Sequence, residues 1–206
     1  MLDVSVPGLD LSDGDRLTFA EYDSDFDTYE GKIREHDSWK LERNQDFDES
    51  GNPGYDAFRR GEWDEALSFA KAQEPALREA AARNRERGTV MRRVRIVEEP
   101  LSPYVQWELH FLRVRARSGS PVRVLTSDQV GRSESDGPLP ELVSLGGQVL
   151  YHILYSDAGI AEGAVRFVDP PLIREWERFI AALFDAGEEL DSYMERYAAH
   201  LPPPTA

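Results

Sequence analysis

Arg92-Arg93-Val94-Arg95-Ile96-Val97, followed after Glu98-Glu99-Pro100-Leu101 by Ser102-Pro103-Tyr104-Val105-Gln106-Trp107-Glu108-Leu109, is the stretch that decides the fold. Its first half alternates with the period of a strand, so that Arg93 and Arg95 face one way and Val94 and Ile96 the other. The second half opens with a serine suited to capping a helix and a proline suited to its first turn. Val105, Leu109 and Leu112, with Tyr104, Glu108 and Phe111 beside them, then recur at helical spacing up to Ser118-Gly119. A strand therefore feeds directly into a helix, and the arginine face of that strand is the candidate binding face.

Upstream, Thr18-Phe19-Ala20-Glu21 matches a capping box, and Phe19, Tyr22, Phe26, Tyr29 and Ile33 continue at helical intervals, which predicts a helix ending near Arg34. Trp39, Leu41 and Phe47 favour a short strand before the turn at Ser50-Gly51-Asn52-Pro53-Gly54. Tyr55 to Arg60 makes a helical turn, and Trp63 to Arg87 reads as a helix that Pro75 splits and Gly88 ends. Downstream, Val122–Leu125 and Leu142–Leu145 read as strands, and Val149–Tyr155 with Ile160–Val168 as a hairpin turning at Asp157-Ala158-Gly159. Asp169-Pro170 caps a helix through Phe184, and a last helical segment follows Gly187. These elements predict an α+β fold: an antiparallel or mixed sheet of about five strands covered by helices on one face, with helical N- and C-terminal segments. A flexible acidic tail is expected at 1–17, one domain at 18–200 and a Pro-rich tail at 201–206.

The run from Arg93 to Leu109 resembles the central motif of an uncharacterised actinobacterial family, domain of unknown function 6879. Phe58-Arg59-Arg60-Gly61-Glu62-Trp63, Leu154-Tyr155-Ser156-Asp157-Ala158-Gly159 and Val168-Asp169-Pro170 are similar to it as well. The resemblance covers most of the chain after about residue 18, where the capping box begins. It implies, through the company its members keep, a regulatory accessory, and supplies no catalytic residue.

The chain has 206 residues with 39 acidic and 24 basic side chains, a net charge of −15 that argues against a binder of DNA, RNA or anionic membrane. The charge is segregated. Residues 1–66 hold 19 acidic against 7 basic residues, whereas 78–123 hold 5 against 11. Ion pairing between these segments within the fold is one reading, and an arginine-lined surface for an acidic partner the other. The absence of cysteine excludes disulfides, thiolate metal sites and a cysteine nucleophile. Neither a secretory signal nor an apolar run of membrane-spanning length occurs, which leads us to expect a cytoplasmic protein.

His36, His110, His152 and His200 lack the spacing of a helical metal site, and His152 reads as a satisfied structural histidine. Gly146-Gly147 reads as a turn between strands rather than a phosphate loop, and Asp23, Asp25 and Asp27 as the solvated face of the first helix. Trp39, Trp63, Trp107 and Trp176 fall in separate elements and read as packing residues. No catalytic residue, metal or cofactor is expected. The candidate binding residues are Arg93, Arg95, Glu99, Tyr104, Trp107 and Glu108, at the strand-to-helix junction. The expected role is a non-enzymatic accessory that meets a protein partner, a regulator, through this junction, without direct contact to nucleic acid or membrane. The alternative is a pocket there for a small molecule, with a carboxylate, an arginine and aromatic walls.

Overall fold

In the computed structural model, which describes residues 5–204, the chain opens with strand β1 (Asp15–Thr18) and helix α1 (Phe19–Glu30). Thr18 caps α1 as the sequence predicts, its backbone N–H donating to the Glu21 carboxylate at 2.8 Å. Strand β2 (Ser38–Glu42), helices α2 (Pro53–Arg59), α3 (Trp63–Ala72) and α4 (Glu74–Glu86), and strand β3 (Met91–Val97) follow. Pro75 marks the break between α3 and α4, sitting in the first turn of α4 where its missing N–H costs nothing. Helix α5 (Pro103–Arg117), strand β4 (Val122–Thr126) and the short helix α6 (Ser127–Val130) come next. The chain continues through β5 (Leu142–Leu145), β6 (Val149–Tyr155), β7 (Ala161–Phe167), α7 (Pro170–Ala186), β8 (Glu188–Glu189) and α8 (Leu190–Arg196).

All eight strands join one mixed sheet in the order β1-β7-β6-β5-β2-β3-β4-β8, rather than about five strands in a mainly antiparallel arrangement. Strands β2, β3 and β4 are parallel, linked by α2–α4 and then by α5, and every other pairing is antiparallel. The two strands with no counterpart among the segments read in the sequence, β1 and β8, are the edges. β1 is polar and β8 is two glutamates long, so neither carries apolar alternation, and short charged edges of this kind resist pairing with other chains. Residues 11–17, expected in a loose tail, belong to a 3-10 turn (Leu11–Asp13) and β1 (Asp15–Thr18); residues 1–4 of that tail and 205–206 of the C-terminal one lie outside the described residues.

Helices cover both faces of the sheet rather than one. On one face α7 lies across the centre, where Ile173, Trp176, Ile180 and Leu183 recur at helical spacing and pack on Leu41, Val94, Ile96 and Leu150. On the other face α1 covers β5–β7 through Tyr22, Phe26 and Tyr29 against Val143, Tyr151 and Ile153. The α2–α5 and α8 group covers β3 and β4 through Val97, Val105, Leu109, Val122 and Val124. Asp25 is less free than a solvated face implies, because it accepts from the Tyr151 hydroxyl at 2.8 Å and from Arg166 at 3.1 Å. Among the described residues no helix is long and apolar enough to cross a membrane.

Candidate functional site

The arginine face of β3 lies inside the protein. A crossover from β3 to its parallel neighbour β4 must return over the sheet, and α5 does so over the face that carries Arg93 and Arg95. Arg95 is consequently 0 % exposed; its Nε donates to Glu108 Oε2 on α5 at 2.7 Å and its Nη1 to the Ile96 carbonyl at 3.0 Å. The parallel register sets Lys40 beside Arg93 and Glu42 beside Arg95. Glu42 thereby receives Lys40 Nζ on one oxygen and Arg93 Nη1 on the other, each at 2.6 Å. Further along, Glu141 accepts the backbone N–H groups of Arg43 and Asn44, both at 2.6 Å, and Arg43 extends to Glu134 and Glu98. The acidic early segment and the basic central one therefore pair within the fold.

Between α5 and the β6–β7 hairpin on this face, a cleft of about 260 Å³ remains open. Lys40, Glu42 and Arg93 line it from the sheet, and Tyr104, Trp107 and Glu108 from α5. The loop after β2 and the β6–β7 hairpin complete it with Phe47, Glu49 and Tyr155. The Phe47 ring lies 4.7 Å from that of Tyr155 and 5.5 Å from that of Tyr104, and the Tyr104 hydroxyl donates to Glu49 at 2.5 Å. Gly159 lets the hairpin approach: its φ of +79° suits glycine, a Cβ there would press on Phe47 and Asp48 at 3.1–3.2 Å, and its carbonyl accepts from Asp48 N at 3.0 Å.

The electrostatics of the cleft follow from burial. Desolvation pushes the Glu108 carboxyl up to about 7, with Arg95 opposing and Glu42 reinforcing the rise. Burial also works against the charge on Glu42, but Arg93, Lys40 and Arg95 outweigh it and hold that carboxyl well below the usual range. Arg95 keeps its charge because Glu108, Glu42 and Glu141 outweigh its own desolvation, whereas burial and the neighbouring Arg93 bring Arg115 down to about 10. Burial raises the Tyr104 and Tyr155 hydroxyls, so both are neutral donors. Four buried polar atoms of this network lack a hydrogen-bond partner among the described residues: Arg93 Nε, Arg95 Nη2, Arg115 Nε and Glu141 Oε2.

Of the residues singled out in the sequence, Arg93, Tyr104, Trp107 and Glu108 meet on the cleft. Arg95 stands behind it as the partner of Glu108, and Glu99 lies apart, accepting from the Tyr193 hydroxyl at 2.9 Å. The sequence reading missed Lys40, Glu42, Phe47, Glu49 and Tyr155. A signal existed for two of them: Ser38-Trp39-Lys40-Leu41-Glu42 alternates, and its polar face carries the charges that answer Arg93 and Arg95. Phe47, Glu49 and Tyr155 reach the cleft through loop and hairpin geometry, which leaves no local pattern. His152 also departs from expectation, since its Nδ1 is buried without a partner among the described residues.

Fold and site together define an α+β domain whose central parallel strands carry a buried charge network opening on one aromatic-lined cleft. The chain belongs to the DUF6879 family, a domain of unknown function, which it matches over residues 11–195. No curated protein matches it.

Proposed function

We propose that the protein binds a small planar molecule in this cleft, one that offers carboxylate or carboxamide oxygens to Lys40 and Arg93 and lays its ring among Phe47, Tyr104 and Tyr155. The observation that carries this reading is the coincidence of an open concavity with ionised groups largely withdrawn from water, Lys40, Glu42 and Arg93, along its wall. Removing such charges from water costs several kcal/mol per ion, about as much as their pairing returns, so the fold gains little from them and a ligand site has use for them. The carboxylates on the wall already have partners: Lys40 and Arg93 for Glu42, Arg95 for Glu108, Tyr104 for Glu49. Lys40 retains donors beyond the one given to Glu42, and a ligand oxygen can accept from it and from the remaining outer N–H groups of Arg93. A regulatory accessory role involving a protein partner is compatible with this chemistry, but it requires a surface other than the covered arginine face.

Benzoate and benzamide supply the oxygens and the ring; benzylamine supplies the ring without an acceptor. Titration followed by thermal unfolding is expected to show saturable stabilisation by one of the first two, none by benzylamine, and a loss of about tenfold in affinity in Lys40→Met. Equal effects of all three compounds, or of none, would sink the reading.

A further inference from the structure

Three cations gather at one end of the cleft beneath α5, and they share a single carboxylate. Lys40 and Arg93, neighbours in the parallel register, both hold Glu42. The third cation is Arg115 of α5. As the returning arm of a crossover, α5 runs against β3, and Glu108 stands level with Arg95, to which it is bonded at 2.7 Å. From Arg95 back to Arg93 is a step of about 7 Å along the strand, which the helix covers in about four to five residues, at Leu112. Helical side chains lean toward the N-terminus of their helix, so Arg115, one turn further on, reaches back to the level of Arg93. Its guanidinium lies 5.6 Å from the centroid of the Phe111 ring, which lines the cleft, and it feels the charges of both Arg93 and Glu42.

Arg115 differs from the arginines around it in having no carboxylate of its own. Arg93 holds Glu42, Arg95 holds Glu108 and Arg113 holds Asp191, whereas Arg115 makes no ion pair and no side-chain hydrogen bond among the described residues. It is half-buried: its Nε is sealed from water, and its two Nη groups are not. The other carboxylates on the wall, Asp48 and Glu49, belong to the loop after β2 at the opposite end, where Glu49 takes the Tyr104 hydroxyl. A guanidinium drawn partly out of water beside another cation, with no counter-charge, costs free energy that a bound anion returns.

We propose that the ligand of the cleft is a dianion, a small aromatic dicarboxylate whose first carboxylate lies on Lys40 and Arg93 and whose second, on the same ring, meets the Nη groups of Arg115. This rests on the reading of the cleft as a site for a planar carboxylate and adds the second charge to it.

Isophthalate, 3-carbamoylbenzoate and benzoate separate charge from shape, since 3-carbamoylbenzoate keeps the outline of isophthalate with one charge fewer. Dissociation constants are measured by titration calorimetry at pH 6, where both carboxyl groups of isophthalate are ionised, and at fixed ionic strength. Isophthalate is expected to bind about tenfold more tightly than either of the others, and that difference to disappear in Arg115→Gln. The net charge of −15 repels a dianion more than a monoanion, so the field of the whole protein does not produce this order. Isophthalate binding no more tightly than 3-carbamoylbenzoate, or an advantage that survives Arg115→Gln, overturns the proposal; benzoate binding in the same titrations then leaves the reading of the cleft standing. Binding by none of the three overturns the proposal as well, and benzamide then decides whether that reading falls with it. The order of affinities in the unmodified protein is decisive even if the variant does not fold.

Discussion

Replacing Glu108 by glutamine tests the electrostatics beneath α5 more sharply than any deletion of the network. Glutamine keeps the shape of the side chain and an oxygen for Arg95 Nε, now 2.7 Å from the carboxylate, but it does not titrate. In the native protein the Glu108 carboxyl is pushed from its ordinary 4.5 to about 7, first by burial and then by Glu42 against the pull of Arg95. The fold therefore binds this proton more tightly than the unfolded chain does. At about 1.4 kcal/mol per pH unit, the difference amounts to about 3 kcal/mol. The sign follows from the direction of the shift. Stability from the protonated carboxyl is present in full below the unfolded value near 4.5 and is lost as pH rises through about 7. Glu42, held charged well below that window, does not titrate across it.

The quantity to measure is the unfolding free energy of Glu108→Gln minus that of the native protein, from urea titrations read by tryptophan fluorescence at several pH values. Whatever its value near pH 4.5, it should move in favour of glutamine by about 3 kcal/mol by pH 8, because only the native protein has to ionise the buried carboxyl. Groups common to both proteins cancel in the difference. A difference that stays flat between pH 4.5 and 8 would show that the fold does not raise the Glu108 carboxyl, and one that moves against glutamine as pH rises toward 4.5 would show that Arg95 outweighs burial and holds the carboxylate charged. Either result refutes the reasoning.

The complementary substitution, Arg95→Met, leaves Glu108 without its ion-pair partner beside the buried Glu42 and should cost about 3–5 kcal/mol in the same urea assay at pH 8. Most of that loss should return in the double variant Arg95→Met/Glu108→Leu; a double variant as unstable as the single one would mean that the pair itself stabilises the fold. Gly163→Ala acts at the sheet edge, where φ is +150° and a Cβ would overlap the Leu17 carbonyl of β1, so β1 must separate from β7. We expect a loss of about 2–4 kcal/mol and fast hydrogen exchange for Arg16 to Thr18, against unchanged protection in β3.

Much of this fold was legible because it obeys local rules. The N-caps at Thr18, Ser102 and Asp169, the split at Pro75 and the alternation of β3 to β7 all appear where short-range spacing puts them. Sheet order was not legible, since the parallel pairing of β2 with β3 joins segments separated by three helices. The edges were not legible either: Asp15-Arg16-Leu17-Thr18 pairs through its backbone and has almost no apolar pattern to reveal it. At the site, the strand-to-helix junction was found, but its arginines were read as exposed. Alternation establishes that Arg93 and Arg95 share a face; it does not say which helix lies on that face. The bare Nδ1 of His152 was beyond reach for a related reason, since whether a polar atom finds a partner depends on residues remote in sequence, here those around α7 and the segment before β5.

The two faces of the sheet differ in a way that bears on the reading of the cleft. Beneath α7 the central strands present Leu41, Val94, Ile96 and Leu125, a mainly apolar layer. On the other face the same strands present Lys40, Glu42, Arg93 and Arg95 to α5. If charges in those positions served folding alone, apolar residues of similar volume would serve as well or better, because paired buried charges seldom repay their desolvation. The apolar layer under α7 already supplies a core, so the second face can carry groups that weaken the fold. Under the proposed function this has a consequence: the cleft holds a carboxyl, Glu108, able to change its charge near neutral pH, on the same wall as Lys40 and Arg93, the two cations assigned to the ligand oxygen. A planar carboxylate bound there should lose affinity as pH rises through about 7, because ionised Glu108 adds a negative charge to the wall. In Glu108→Gln that pH dependence should vanish while binding persists. A variant that binds benzoate with the native pH profile would separate the ligand from Glu108 and move the site away from the wall of α5.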